Sequence, residues 1–163
     1  MALPAYLAAA VESWAGFYDR HHAVSVTVRY LHLLGLLTGG GTAIATDRQV
    51  LKAFRAGPAQ RATVVAALHE SHRVVVPALA LVVATGALMT AADTATFFAS
   101  RLYWSKLSLV ALLLLNGLGL LAAERAFERG SPRSWRGLGL ASAASLALWL
   151  SILLAGVWLT VAA

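Results

Sequence analysis

Four long apolar stretches dominate this sequence and limit the folds that are open to it. They cover residues 23–46, 66–92, 101–124 and 138–162. Each can supply the ~20 residues that a helix needs to cross ~30 Å of hydrocarbon. The composition agrees, because 60% of the 163 residues are hydrophobic and only 12% are charged. An integral membrane protein is therefore predicted.

Short connections separate the four stretches. Turn signals stand at Ala56-Gly57-Pro58, Ala92-Asp93-Thr94 and Gly130-Ser131-Pro132. Short turns of this kind make consecutive helices antiparallel neighbours. The sequence thus predicts an all-α protein, a four-helix up-down bundle that forms a single transmembrane domain over residues 1–163.

The segment before the first apolar stretch has a different pattern. Apolar and aromatic side chains recur there at spacings near three and four, beside two acidic residues: Leu7, Val11, Trp14, Phe17 and Tyr18, with Glu12 and Asp19. A helix that is apolar on one side and acidic on the other suits the membrane surface. We therefore expect an N-terminal interfacial amphipathic helix.

Basic residues concentrate in two of the connecting segments. Arg48, Lys52, Arg55 and Arg61 lie around the first turn, and Arg125, Arg129, Arg133 and Arg136 lie around the third. The positive-inside rule places both segments in the cytoplasm and both chain termini outside. The lipid bilayer is then the expected partner of this chain, and its net charge of +6 requires no nucleic acid.

Two polar residues inside the apolar stretches, His32 and Lys106, are predicted to share one depth in the bilayer. If each hairpin is symmetric about its turn, residue 32 lies opposite residue 84, and residue 84 lies opposite residue 106. A charged side chain in the hydrocarbon of a membrane is energetically unfavourable, and it normally has a polar partner or a functional role. The pair is therefore a candidate functional site.

A haem is one interpretation of this pair. An imidazole can bind iron axially, and a buried lysine can offer a neutral amine as the opposite ligand. Arg29 and Arg101 fall near the outer edge, where they could pair with propionates. The alternatives are structural: His32 could bond to Thr85 or to a backbone carbonyl, and Lys106 could extend toward the outer interface.

A family resemblance rests on the same residues. It is carried by YLHLL at 30–34, by Pro77-Ala78 with Gly86, and by WSKLSLV at 104–110. Over residues 28 to 116 the chain resembles the small bacterial membrane protoporphyrinogen IX oxidases of the HemJ type and, more loosely, CopD-like membrane proteins. The resemblance implies a b-type haem held by His32 and Lys106 in a bacterial inner membrane protein. Electron transfer or porphyrinogen oxidation, with a membrane redox partner, would be its activity.

A second candidate site lies at the inner end of the bundle. Hairpin symmetry brings His69 opposite Asp47, and it brings Glu124 near residue 66. With His72 these residues could form a nitrogen and oxygen site for Zn²⁺ or Cu²⁺, which would suit metal-ion handling or transport. The alternative is a salt-bridged collar at the membrane surface, formed by Asp47 and Glu124 with Arg48, Glu70, Arg73 and Arg125.

Other chemistry finds little support in the sequence. The absence of cysteine excludes disulfides and thiolate metal sites,. No phosphate-binding loop, nucleophile elbow or HExxH motif is present. Serines of the last stretch, among them Ser142 and Ser145, are taken as helix-packing residues, and the Gly35/Gly39 pair predicts self-association into a homo-oligomer. A cofactor-free accessory subunit is the third functional class that stays open.

Overall fold

The computed structural model describes residues 5–55, 57–131 and 134–162, and these residues are almost entirely helical. Ala56, Pro132 and Arg133 of the predicted connections lie outside the described residues. The helices are α1 (Ala5–Arg20), α2 (His22–Gly35), α3 (Gly41–Lys52), α4 (Pro58–Ala92), α5 (Thr94–Ala99), α6 (Arg101–Glu128) and α7 (Ser134–Ala162). No strand occurs in this part of the chain, so the prediction of an all-α protein is confirmed.

Three of these helices are long and apolar enough to cross a membrane: Pro58–Ala92, Arg101–Glu128 and Ser134–Leu159. Their outward side chains include Leu115, Leu140 and Leu154, which are 64%, 74% and 65% exposed. Polar residues such as Glu124 and Ser142 are buried instead. Apolar side chains outside and polar side chains inside suit a protein surrounded by lipid.

The first predicted span differs from a simple α-helix. A π-helical turn, Leu36–Gly40, joins α2 to α3, so the helical path continues from His22 to Lys52 with one irregular turn in its middle. π-Turns insert a residue into the helical repeat and are rare. The flexible Gly39 and Gly40 lie within this turn, where they lower the side-chain crowding that such a turn would otherwise meet.

Glycines on this path allow very close helix contacts. A methyl group added at Gly35 would lie 2.8 Å from Val82 Cγ2, and one added at Gly39 would lie 2.8 Å from Ala78 Cβ, both on α4. One added at Gly40 would lie 3.1 Å from the Trp149 ring on α7. The glycine face predicted for self-association or for a cofactor is therefore packed against the chain itself.

The remaining contacts define the order of the helices. α2 and α3 pack on α4, α3 also packs on α7, and α7 packs on α6. Helix α1 lies against α4, where the Trp14 indole donates a 2.9 Å hydrogen bond to the Leu88 carbonyl. Two side-chain hydrogen bonds join α4 to α6, one between Thr90 and Tyr103 and one between His69 and Glu124.

Helix boundaries follow from local sequence. Pro58 occupies the first turn of α4, where its missing N–H costs no hydrogen bond,. Asp93 accepts a hydrogen bond from the Thr96 amide and caps α5, and Ser100 caps α6 in the same way through the Tyr103 amide,. Helix α5 therefore occupies the predicted connection between the second and third apolar stretches.

Candidate functional site

Glu124 is the centre of a polar cluster between α4 and α6. The Nδ1 atom of His69 lies 2.8 Å from Glu124 Oε1, and the Nδ1 atom of His72 lies 3.6 Å from Oε2. The two histidines are three residues apart on α4, so they occupy the same face of that helix. Both imidazoles therefore approach one carboxylate from the neighbouring helix.

The cluster is sharply asymmetric in its exposure. The Glu124 side chain is 2% exposed, whereas the side chains of His72 and His69 are 20% and 65% exposed. Glu124 is thus the buried member of the cluster, and His69 is its exposed member. A buried carboxylate needs a compensating partner, because desolvation of its charge is expensive. The His69 imidazole donates a hydrogen bond to Oε1, whereas Glu124 Oε2 has no hydrogen-bond partner among the described residues, because His72 Nδ1 is 3.6 Å away.

Glu128 adds a fourth polar side chain that the sequence analysis did not identify. Ligand atoms of His69, Glu124 and Glu128 all lie within 4.8 Å of one another. The signal for it was present in the sequence, since Glu128 is four residues after Glu124 and so lies on the same face of α6. Nitrogen and carboxylate oxygen donors of this kind suit Zn²⁺ or Cu²⁺.

A cavity of about 460 Å³ lies beside this cluster. It is bounded by both helices and includes two of the cluster residues: Ala62, Val65, Ala66, His69, Glu70, Phe127 and Glu128. An ion could therefore approach His69 and Glu128 without any separation of α4 from α6.

Asp47, the fourth residue of the predicted inner site, lies in a different environment. It makes no ion pair with His69 or His72, and its carboxylate faces Ser142 and Ser145 on α7. Of the salt-bridged collar predicted as the alternative, the described residues form one exposed ion pair, in which Arg73 Nη1 lies 3.3 Å from Glu70 Oε2. Hairpin symmetry estimates depth in the bilayer, but it does not indicate which neighbour a side chain faces.

His32 contacts Thr85, the hydrogen-bond partner that the sequence analysis gave as the alternative to a haem. Its Nδ1 atom lies 2.9 Å from Thr85 Oγ1, and Thr85 Oγ1 lies 2.6 Å from the Leu81 carbonyl oxygen. If the single hydroxyl proton of Thr85 is donated to that carbonyl, the imidazole donates its Nδ1 proton to the hydroxyl; in the other tautomer the hydroxyl donates to Nδ1,. In the first of these tautomers the Nε2 atom of a neutral His32 carries the ring lone pair, and the ring also lies within hydrogen-bonding reach of the Val82 backbone,.

Lys106 lies in the same region of the bundle. Its charge interacts electrostatically with the His32 imidazole, and its Nζ atom lies 3.5 Å from the position of a methyl group added at Gly156 on α7. Within the described part of the chain, Lys106 forms no ion pair with an acidic side chain. Among the described residues no hydrogen bond joins His32 to Lys106, although the lysine is near enough to influence the imidazole electrostatically.

The two arginines of the predicted haem site lie nearer the end of the bundle that carries α5. Arg29 borders a cavity of about 550 Å³ together with Asp19, Asp93 and Phe97. Arg101 is the exposed first residue of α6. Neither forms an ion pair among the residues that the structure describes.

Comparison of this chain with known protein families, curated proteins and solved structures gave no match. The resemblance described above therefore stays a prediction, and the function has to be inferred from the geometry of the chain.

Proposed function

We propose that this chain is a membrane protein that binds and handles a transition-metal ion, Zn²⁺ or Cu²⁺, between α4 and α6. The observation that carries the proposal is the buried Glu124 carboxylate with His69 and His72 directed at its two oxygens. Glu128 supplies a further oxygen ligand. In this proposal, Asp47 is not a ligand of the ion.

The proposed setting is a four-span bundle in a bacterial inner membrane. The path from α2 to α3 is the first span, and α4, α6 and α7 are the others. The basic connections after α3 and after α6 lie inside, and α5 and both termini lie outside. Helix α1 lies at the outer interface against α4. The metal cluster then belongs to the inner end of the bundle, where His69 meets the aqueous phase.

Metal analysis of the purified protein tests the proposal. Wild-type protein loaded with Zn²⁺ or Cu²⁺ and then desalted is expected to retain about one ion per chain. The His69→Ala/His72→Ala double variant should lose it, because two of the ligands are gone. The matched control is His21→Ala/His22→Ala, a pair of exposed histidines outside the cluster. Equal metal content in all three proteins would remove this proposal.

A b-type haem at His32 and Lys106 is the second candidate function. Its support is the Thr85 hydrogen bond, because a histidine that binds a metal through Nε2 characteristically donates its Nδ1 proton to a nearby oxygen,. Lys106 would be the opposite ligand, with Arg29 and Arg101 available for propionates. A bound haem would supply one-electron chemistry and make the chain an electron carrier or oxidoreductase with a membrane redox partner. Against it stands the packing of Gly35 and Gly39, which leaves no space on that face for a flat ring.

A reduced-minus-oxidised absorption spectrum separates the two candidates. Protein expressed with ample haem should show sharp reduced α and Soret bands if the second candidate holds, and the His32→Ala variant should lose them while His22→Ala keeps them. A colourless wild-type protein would contradict the haem site. A protein without colour or metal that purifies with a stoichiometric partner would instead indicate an accessory subunit.

A further inference from the structure

A second buried carboxylate lies between α3 and α7. Asp47 is 2% exposed, and its carboxylate faces Ser142 and Ser145, which are 0% and 5% exposed. The two serines are three residues apart, so they lie on one face of α7. This polar group shares no residue with the His69 and Glu124 cluster, and it is independent of the function proposed above.

Two polar atoms of this group have no hydrogen-bond partner. Asp47 Oδ2 and Ser142 Oγ are both buried, and neither meets full hydrogen-bond geometry with another of the described residues, while the Asp47 carboxylate lies within hydrogen-bonding reach of both serines. Buried polar atoms in native proteins are almost always satisfied by protein, water or an ion. The hydrogen-bonding capacity of these two oxygens is therefore left open for a bound ion or for a proton on Asp47.

The charge of the group is also uncompensated. The ion pairs among the described residues involve Glu70 and Glu124, and none involves Asp47. An ionised carboxylate that is buried without a countercharge is strongly unfavourable. A cation with a single positive charge could compensate the carboxylate, provided that it is small enough to contact the carboxylate and both serine hydroxyls.

We propose that Asp47, Ser142 and Ser145 bind a small monovalent cation, of which Na⁺ is the test case. Ligands that are all oxygen suit hard cations, whereas transition metals favour sites with nitrogen or sulfur. A single carboxylate neutralises a single charge, so a divalent ion would leave a net positive charge buried in the bundle. The two serine hydroxyls complete the ligands from α7.

Thermal unfolding in matched salts tests this site. The purified protein is unfolded in detergent at pH 8, with a chelator present, in NaCl or in choline chloride at equal ionic strength. Na⁺ is expected to raise the Tm of the wild-type protein along a saturating curve, because an ion that binds only the folded state stabilises it by mass action. Asp47→Asn should abolish the sodium-dependent rise.

Ser142→Ala provides a second and milder variant. Loss of one ligand should raise the Na⁺ concentration at half-effect about tenfold. In choline chloride the same variant should be as stable as the wild type or more stable, because it removes a buried hydroxyl that has no partner. Ser151→Ala, an exposed position on the same helix, should keep the wild-type sodium response.

Three results would overturn the proposal. They are equal Tm values of the wild type in the two salts, a full sodium response in Asp47→Asn, and a Tm that rises on acidification equally in both salts, which would indicate a protonated Asp47. Zn²⁺ content measured on the same variants should stay at the wild-type level. Failure of the sodium site is therefore distinguishable from failure of the metal cluster.

Discussion

One hydrogen bond orients the half-buried ring of His32. Thr85 is 3% exposed and fixes the His32 ring through Nδ1. If Thr85 donates its own proton to the helix backbone, the neutral imidazole carries its proton on Nδ1,. In the tautomer with the proton on Nδ1, Nε2 is the ring nitrogen that could accept a ligand.

We expect Thr85→Ala to destabilise the folded protein. The substitution leaves His32 Nδ1 without its hydrogen-bond partner, which should cost about 0.5–2 kcal/mol, the range for polar contacts between membrane helices. Thr85→Ser keeps the hydroxyl and is the control. The measurement is the free energy of unfolding in mixed micelles, and equal stability of the alanine and serine variants would contradict this role of the hydroxyl.

Residue positions along a helix were easier to predict than residue directions. Hairpin symmetry used only depth, and the structure does place Lys106 within electrostatic range of His32. The same reasoning put Asp47 beside His69, yet Asp47 faces α7. The π-turn between His32 and Asp47 inserts a residue into the repeat and changes the face on which later residues lie,. The pattern of apolar residues in the sequence does not predict such a turn.

At the scale of elements, close approach of helices depends on residues without side chains. Gly35 and Gly39 allow α2 and the π-turn to contact α4, and Gly40 accommodates the Trp149 ring of α7. The small-residue spacing was visible in the sequence as a packing motif. Its partner was not, because a small-xxx-small pair is the same whether the neighbour belongs to the same chain or to another copy.

Gly39→Ala is expected to destabilise the bundle by about 1–3 kcal/mol, the usual cost of overpacking. The added methyl group would lie 2.8 Å from Ala78 Cβ, so the helices must separate. Gly41→Ala is the matched control, because a methyl group there meets no atom within 4 Å and alanine favours a helix,. Thermal unfolding of both variants checks the difference, and equal Tm values would show that the π-turn and α4 are not in tight contact.

At the scale of the whole molecule, the apolar stretches predict the helices well and their ends less well. α4 begins at Pro58, eight residues before the predicted span, because Pro58 starts the helix while hydropathy rises only later. Helix α5 was expected as a turn, and its six residues form because Asp93 caps them. Hydropathy reports contact with lipid, whereas capping and proline chemistry determine where a helix begins.

The orientation of the bundle can be checked by cysteine labelling, since the natural chain has no cysteine. Ala95→Cys on α5 should react with a membrane-impermeant maleimide added outside intact cells. Ser131→Cys, after α6, should react only once the membrane is permeabilised if the proposed orientation, with this basic connection inside, is correct. The reverse pattern would show that the bundle is inserted with its termini inside.

The uneven exposure of the metal cluster has a consequence for how long an ion would stay. With His69 65% exposed and Glu124 2% exposed, an ion between them would have water on one side and the helix pair on the other. Its residence time would then be set by the breaking of its ligand bonds and not by any opening of the bundle. A chelator confined to the inner compartment could therefore compete for that ion while the protein stays folded and inserted.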